Sequence, residues 1–268
     1  MTARTARGVA TIEKSLELFL SLVDDAGQTP LSAFAQQSGI PVSTAQRIVA
    51  AFVRSGLLAR VERGRYAAGV RLASGRDPKN LYKVIIAASR PLLHRLAYAV
   101  GATVHLGVLE SDMVTYLVKE HGGGTEVLTR EMMQLEAYCS AIGKVLLANL
   151  DEARLSAYLA AGPFVPLTRN TITDPALLHS TLLLVRDQDY AIDDAEVDDD
   201  LYCVAVPLRG ANSCVIAAIS VSRRSNEPIS PTTLDLLKDC SIRIGSRLGL
   251  SYTRSRSMGN SIGSANST

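Results

Sequence analysis

Between Pro30 and Gly69 the spacing of apolar positions changes twice, and each change predicts a different element. Leu31, Phe34 and Ala35 fall at i, i+3, i+4, the spacing of one buried helical face, and Gly39 supplies the residue type that ends helices in a left-handed turn. A second helix follows in PVSTAQRIVAAFVRSG, with Ala45, Ile48, Val49 and Phe52 on its apolar face. Its other face carries Ser43, Arg47, Ala50 and Arg54, with Gln46 beside them. The period then shortens in LLARVERGRYAAGV, which predicts two short strands around the turn Glu62-Arg63-Gly64. Arg60, Arg63 and Arg65 cluster on this hairpin. Helix, tight turn, helix and basic hairpin is the order of a winged helix-turn-helix, although helical hairpins also arise simply to pack.

Upstream, Ile12, Leu16, Phe19, Leu20 and Val23 predict a helix that floors the other two and ends at Asp24-Asp25-Ala26-Gly27. Residues 1–8 are expected to be disordered, with Arg4 and Arg7 forming either a DNA-touching arm or a merely solvated start. Downstream, SGRDPKN is a polar break. Leu81, Ile85, Leu92, Leu96 and Ala99 then predict a long helix containing Pro91, read either as a subunit-pairing linker or as the first helix of the next domain. From Gly101 onward the pattern becomes α+β. TVHLGVL and MVTYLVKE form a predicted hairpin, and residues 125–130 a further extended run. Helices are predicted over 140–149, 152–160 and 175–188, the last capped by Asp174. Three strands follow in YAIDDAEV, YCVAVPLRG and CVIAAISVS, then a closing helix over 231–250 with Ser230 as cap and Pro231 at its first position. The expectation is an antiparallel sheet of five or six strands flanked by helices. Residues 251–268, rich in Ser, Gly and Asn, are expected to be disordered.

Length fits about two domains at roughly 100–200 residues each. The net charge of +2 conceals an asymmetry. Residues 1–76 hold 10 Lys/Arg against 5 Asp/Glu, a net +5, whereas residues 77–250 hold 16 against 21, a net −5. A basic N-terminal module on an acidic body fits a nucleic-acid contact confined to one end. No apolar run is long enough to cross a bilayer and MTARTARGVA has no signal core, so no membrane partner and a cytoplasmic location are expected. Cys139, Cys203, Cys214 and Cys240 are widely spaced, and His94, His105 and His179 lack ligand spacing. No metal, disulfide or cofactor is expected.

Two catalytic letter-matches fail on context. His121-Gly122-Gly123-Gly124 looks like an oxyanion loop, and Gly259-Asn260-Ser261-Ile262-Gly263 fits a nucleophile elbow. The elbow needs a strand before it and a helix after it, and only five residues follow, too few for the remaining triad members. Nothing places a base beside Cys203. The chain is not read as an enzyme.

The blocks SGIPVSTAQRIVAAFVRSGLLAR, RGRYAAGVRL, GATVHLGVLESDMVTYL, SAIGKVLLA, NTITDP, DYAIDDAEV, CVAVPL and AAISVS, in this order, resemble the IclR family of bacterial transcriptional regulators over about residues 8–250. The resemblance implies a winged helix-turn-helix DNA-binding domain over 8–76, a linker helix over 77–99 and a GAF-like effector-binding domain over 100–250, assembled as homodimers or homotetramers. It implies that Ser43, Thr44, Gln46 and Arg47 contact a double-stranded DNA operator, with Arg63 and Arg65 on the wing. It also implies an effector, a small organic or aromatic acid, whose carboxylate meets the backbone of Ala141 and Ile142 at a helix N-terminus, a natural anion site. Asp193, Cys203, Ser220 and Ser222 match its polar pocket positions, and Val127, Leu128, Leu135 and Leu201 form its apolar wall. The chain departs from the family at Asp200, where Gly is frequent, at Val42, where a basic residue is common, and at Gln46, where His is frequent. Two functions follow from different classes. One is a ligand-responsive regulator, with repression of a catabolic operon as the favoured sign. The other is a small-molecule-binding protein whose winged helix contacts a protein.

Overall fold

The computed structural model describes residues 3–73, 78–124, 126–210, 214–224 and 229–248. The side chains of Arg4 and Arg7, residues 74–77 of the polar break SGRDPKN and the tail 251–268 lie outside the described residues, and Pro78, Lys79 and Asn80 of that break open a helix. The N-terminal unit is α1 (Ala3–Asp25), α2 (Leu31–Gln37), α3 (Val42–Arg54), β1 (Leu58–Glu62), β2 (Arg65–Ala68) and the single turn α4 (Val70–Ala73). Its core gathers Leu18, Leu22, Leu31, Ala35, Ala45, Val49 and Leu58, with Phe19 and Phe52 rings 4.8 Å apart at its edge. Each fully buried leucine contributes roughly 1.5–3 kcal/mol. Gly39, at φ +63°, makes the turn that swings α3 across α2.

Two expectations for α1 do not hold. The helix begins at Ala3 rather than after residue 8, in a segment whose Ala and Arg residues are good helix formers. Its buried face is Leu18 and Leu22, with Phe19 and Val23 partly covered, whereas Ile12, Leu16 and Leu20 are 62%, 49% and 56% exposed. Apolar residues encircle α1 from Leu16 to Val23, so periodicity alone does not choose between two faces.

The helix α5 (Pro78–Val100) leads into a six-stranded antiparallel sheet in the order β5-β4-β3-β8-β7-β6. Its strands are β3 (Thr103–Glu110), β4 (Met113–His121), β5 (Gln134–Glu136), β6 (Ala191–Asp194), β7 (Leu201–Arg209) and β8 (Val215–Arg224). Side chains alternate between the faces of a strand, and the two faces bury different helices. Val104, Leu106, Val204, Val206, Ile219 and Val221 pack with Ile85, Leu92 and Leu96 of α5 and with Leu237 and Ile244 of a closing helix. Cys203, Ala205 and Ala218 face the opposite cluster, formed by α6 (Ala141–Ala148), α7 (Glu152–Leu159) and α8 (Pro175–Gln188). The closing helix is α9 (Pro231–Arg247).

Local signals place the helix ends. Asp174 caps α8 by accepting from the amides of Ala176 and Leu177, and Ser230 caps α9 by accepting from Thr233. Of the five apolar positions expected to face inward from α5, Ile85, Leu92 and Leu96 are buried, Leu81 is half-buried and Ala99 is exposed, whereas Leu93 and Ala97 are also buried. The expected extended run at 125–130 is not a strand over its described part, 126–130. The edge strand is β5, beginning at Gln134. The segment before it is held by Lys119, which donates to the carbonyls of Val127 and Thr129, and by backbone bonds that Met132 and Met133 exchange with Tyr116 of β4.

Candidate functional site

The N-terminal unit presents one polar surface. Ala45 and Val49 anchor α3 in the core, which leaves Ser43, Thr44, Gln46, Arg47 and Arg54 exposed along its outer side. The helix opens after Pro41, and no side chain caps its first turn. Its N-terminal partial positive charge therefore adds to that of the arginines. The two wing arginines differ. Arg63 is exposed beside Gly64 at the hairpin tip. Arg65 is turned inward: its guanidinium donates to the carbonyls of Gln28 and Gly27 and lies 3.5 Å from Glu62. Arg65 thus pins the wing to the α1–α2 turn, whereas Arg63, like Arg60 on β1, is exposed.

In the second unit a cavity lies between the sheet and the N-terminus of α6. It is lined by Ala141, Ile142, Asp193, Cys203, Ser220 and Ser222, and also by Val127, Leu128, Leu135 and Leu201. Strand register assembles its polar floor. Asp193 on β6 is directly opposite Cys203 on β7, which is opposite Ser222 on β8, and Ser220 faces His105 on β3. Ser140 caps α6 by accepting from the Gly143 amide at 3.1 Å, so the amides of Ala141 and Ile142 are the helix's first two. Gly143 lets that helix end approach its neighbour, because a Cβ there would meet the Ala137 carbonyl oxygen at 2.1 Å.

Burial sets the protonation of this floor. Asp193 is 1% exposed, and burial pushes its carboxyl up to about 7, against the opposing pull of the Glu196 amide and the Lys144 cation. Its Oδ1 accepts from the Glu196 amide at 2.8 Å. Burial, reinforced by Asp193, raises Cys203 well above the usual thiol range, so it remains an un-ionised thiol and a poor nucleophile. Burial, with Lys119 nearby, lowers His105 to about 3 and keeps its ring neutral.

Several residues of this site escaped the sequence reading. His105, set aside for lack of metal-ligand spacing, lines the cavity, with Nε2 2.7 Å from Thr129 Oγ1 and Nδ1 3.4 Å from Ser222 Oγ. Behind the floor, fully buried Lys144 pairs with Glu196, whose Oε2 has no hydrogen-bond partner. The available signal was a lysine inside the otherwise apolar AIGKVLLA. At the rim Arg224 holds Asp198 at 2.6 Å, so one charge of the acidic 198–200 run is neutralised. Asp200 is exposed and does not line the cavity. Among the described residues no group of three or more His, Cys, Asp or Glu is placed to hold a metal, and no helix is long and apolar enough to cross a membrane.

A helix-turn-helix with a hairpin wing, joined by one long helix to an α+β unit that encloses a polar-floored cavity, defines a DNA-binding transcriptional regulator. Comparison with known proteins gives the family. Residues 82–245 match the bacterial transcriptional regulator IclR C-terminal model, and residues 11–62 match the IclR helix-turn-helix domain. The chain belongs to the IclR family of bacterial transcriptional regulators. It is 29% identical to the HTH-type transcriptional regulator XynR of Escherichia coli K12 over 220 residues, 80% of this chain and 86% of that protein. It is 27% identical to the transcriptional repressor IclR of the same organism over 242 residues, 87% and 85% of the two chains. Among solved structures, an IclR homolog from Microbacterium hydrocarbonoxydans in complex with 4-hydroxybenzoate aligns with a TM-score of 0.59 at 25% identity, covering 88% of this chain and 98% of that one.

Proposed function

We propose that this regulator is an effector-controlled repressor. Residues 8–76 bind the operator, residues 77–99 link, and a small carboxylic acid occupies the cavity of residues 100–250. The observation that carries this reading is the convergence of an anion-favouring helix N-terminus and a polar floor on one cavity. The first amides of α6 form one wall, and the row Asp193, Cys203, Ser222 with Ser220 forms the floor. The carboxylate is received by the Ala141 and Ile142 amides, and the rest of the molecule lies against Val127, Leu128, Leu135 and Leu201. The cavity volume is about 90 Å³. An apolar cavity of roughly 150 Å³ admits benzene, so the size favours a short aliphatic acid over an aromatic one.

On the DNA side, Ser43, Thr44, Gln46 and Arg47 read base edges while Arg63 meets phosphate. Arg65 acts indirectly, by holding the wing. A homodimer or homotetramer presents paired α3 helices to half-sites about one helical turn apart. The acid acts by binding one dimer arrangement better than another.

The test is fluorescence anisotropy on the DNA upstream of the gene, at two salt concentrations, with a panel of short aliphatic and aromatic carboxylates. Salt-sensitive nanomolar binding, well above that to scrambled DNA and altered by a short acid, is the expected result. Equal weak binding to both DNAs contradicts the operator assignment and favours a protein partner for the winged helix. Specific binding that every acid leaves unchanged removes the effector chemistry.

A further inference from the structure

The segment 126–133, which joins β4 to β5, forms the outer wall of the cavity and is not a strand. Its backbone meets β4 at its end, where Met132 donates to the Tyr116 carbonyl at 2.7 Å and Met133 accepts from the Tyr116 amide at 3.0 Å. Val127, Leu128, Thr129 and Met133 line the cavity. Leu128 is nevertheless 82% exposed and Met132 66%, and Met132 holds a left-handed φ of +63° that a non-glycine residue rarely adopts. Leu128 therefore presents a large apolar group to water at the mouth of this polar-floored cavity.

A set of polar side chains fastens this strap. Lys119 of β4 donates to the carbonyls of Val127 at 2.9 Å and Thr129 at 2.8 Å, and to Glu126 at 3.0 Å. On the cavity side, Thr129 Oγ1 meets His105, whose second nitrogen faces Ser222. On the opposite side, Glu131 accepts from the Lys119 amide at 3.3 Å and pairs with Arg90 of α5 at 2.7 Å. Arg90 also holds Glu120 at 3.0 Å, and Glu120 lies 2.8 Å from His94, one turn further along α5. The chain of contacts thus begins at a cavity hydroxyl and ends on the long helix. Ile85 and Ala88 of that helix share a buried cluster with Ala59 and Val70 of the N-terminal unit.

We infer that the strap is the element that reports cavity occupancy to α5, with Arg90 as the residue that receives the signal. The inference rests on the effector-cavity reading above and adds its route. An occupant gives Val127 and Leu128 an apolar surface to close on and competes with His105 for Ser222. The part from Val127 to Glu131 then shifts together, pivoting on the Met132 and Met133 bonds to Tyr116, because Lys119 ties the Val127 and Thr129 carbonyls, and Glu131 draws on Arg90. Coupling of this kind is reciprocal: what disturbs α5 at Arg90 loosens the strap, and what frees the strap loosens α5.

Amide hydrogen exchange on the full chain tests this with neither operator nor effector present, so failure of the regulator reading and failure of this one are separable. In Arg90→Ala, exchange across 126–133 is expected to rise roughly three- to tenfold, with α8 unchanged as an internal control. In Thr129→Val, which releases His105, exchange across 86–96 is expected to rise in the same direction. Glu131→Gln breaks the same bridge by a single-atom change at an exposed site, and covers the case in which Arg90→Ala disturbs the whole fold. Arg90→Lys, which retains one charge, restores most of the protection. Wild-type exchange in the strap of both Arg90→Ala and Glu131→Gln, or a loosened strap in Thr129→Val with α5 unaltered, overturns the inference.

Discussion

The two halves of this regulator place their chemistry on opposite sides of their surfaces. The N-terminal unit keeps an all-apolar core and carries Ser43, Thr44, Gln46 and Arg47 outside, where each acts almost independently of the others. The second unit does the reverse. Asp193, Lys144, Glu196, Ser222 and His105 are all buried, and each is held by another member of the group. Exposed polar groups cost the fold little and tolerate exchange. Buried ones are costly when a partner is lost, so in the cavity stability and specificity share the same residues.

The largest expected effect follows from that burial. Lys144→Ala leaves Glu196 buried and unpaired and lowers stability by ~3–5 kcal/mol, read as a fall in the urea midpoint at pH 7. Replacing both partners together, Lys144→Met with Glu196→Gln, recovers most of the loss. A drop of less than 1 kcal/mol in Lys144→Ala would mean that the pair is open to water, and the contrast between the halves would weaken.

Arg47→Ala comes next. It removes one exposed guanidinium from α3 and weakens operator binding by ~1–3 kcal/mol, with the unfolding midpoint and effector affinity unchanged. A loss of stability instead would place Arg47 in the fold rather than at the DNA.

Asp193→Asn gives a smaller effect whose sign depends on pH. The native carboxyl holds its proton to about pH 7, whereas the unfolded one releases it near 3.8. Native protein therefore binds more protons between these values, and this group makes stability fall as pH rises from about 4 to 7, then level off. Linkage bounds the effect at about 4 kcal/mol. The new amide must find acceptors of its own, which cuts the gain to on the order of 1–2 kcal/mol. The variant is expected to be more stable than wild type at pH 8 and no more stable at pH 4, by urea unfolding at both. The smallest effect belongs to Arg63→Ala, which lowers the salt dependence of operator affinity by a slope of about 1 without changing sequence preference.

The same contrast explains what was legible in the chain. The α2–turn–α3 order, the wing and the bounds of α8 follow from neighbours in sequence: apolar spacing, Gly39, Asp174 and Pro175. The face of α1 was not legible, because Leu16, Leu18, Leu20 and Leu22 satisfy more than one helical stripe and the packing of α2, α3 and the hairpin selects Leu18 and Leu22. The candidate cavity residues came from a family resemblance and not from spacing, and topology brings them together from four strands and a helix. The Lys144–Glu196 pair spans 52 positions and the Ser222–His105 contact 117, distances at which no local pattern operates. Arg65 shows the converse. Its charge marked it for DNA, and its contacts with Gln28 and Gly27 turn it into a strut of the wing.

The central claim is that what enters the buried cavity governs what the exposed helix does. It is tested most directly by operator anisotropy, with and without an active acid from the panel, on wild type and on Ser220→Phe, whose ring fills the floor. The account predicts a clear shift in wild type on adding the acid and none in Ser220→Phe. An equal shift in both proteins would contradict it, because the acid would then be acting from somewhere other than this cavity.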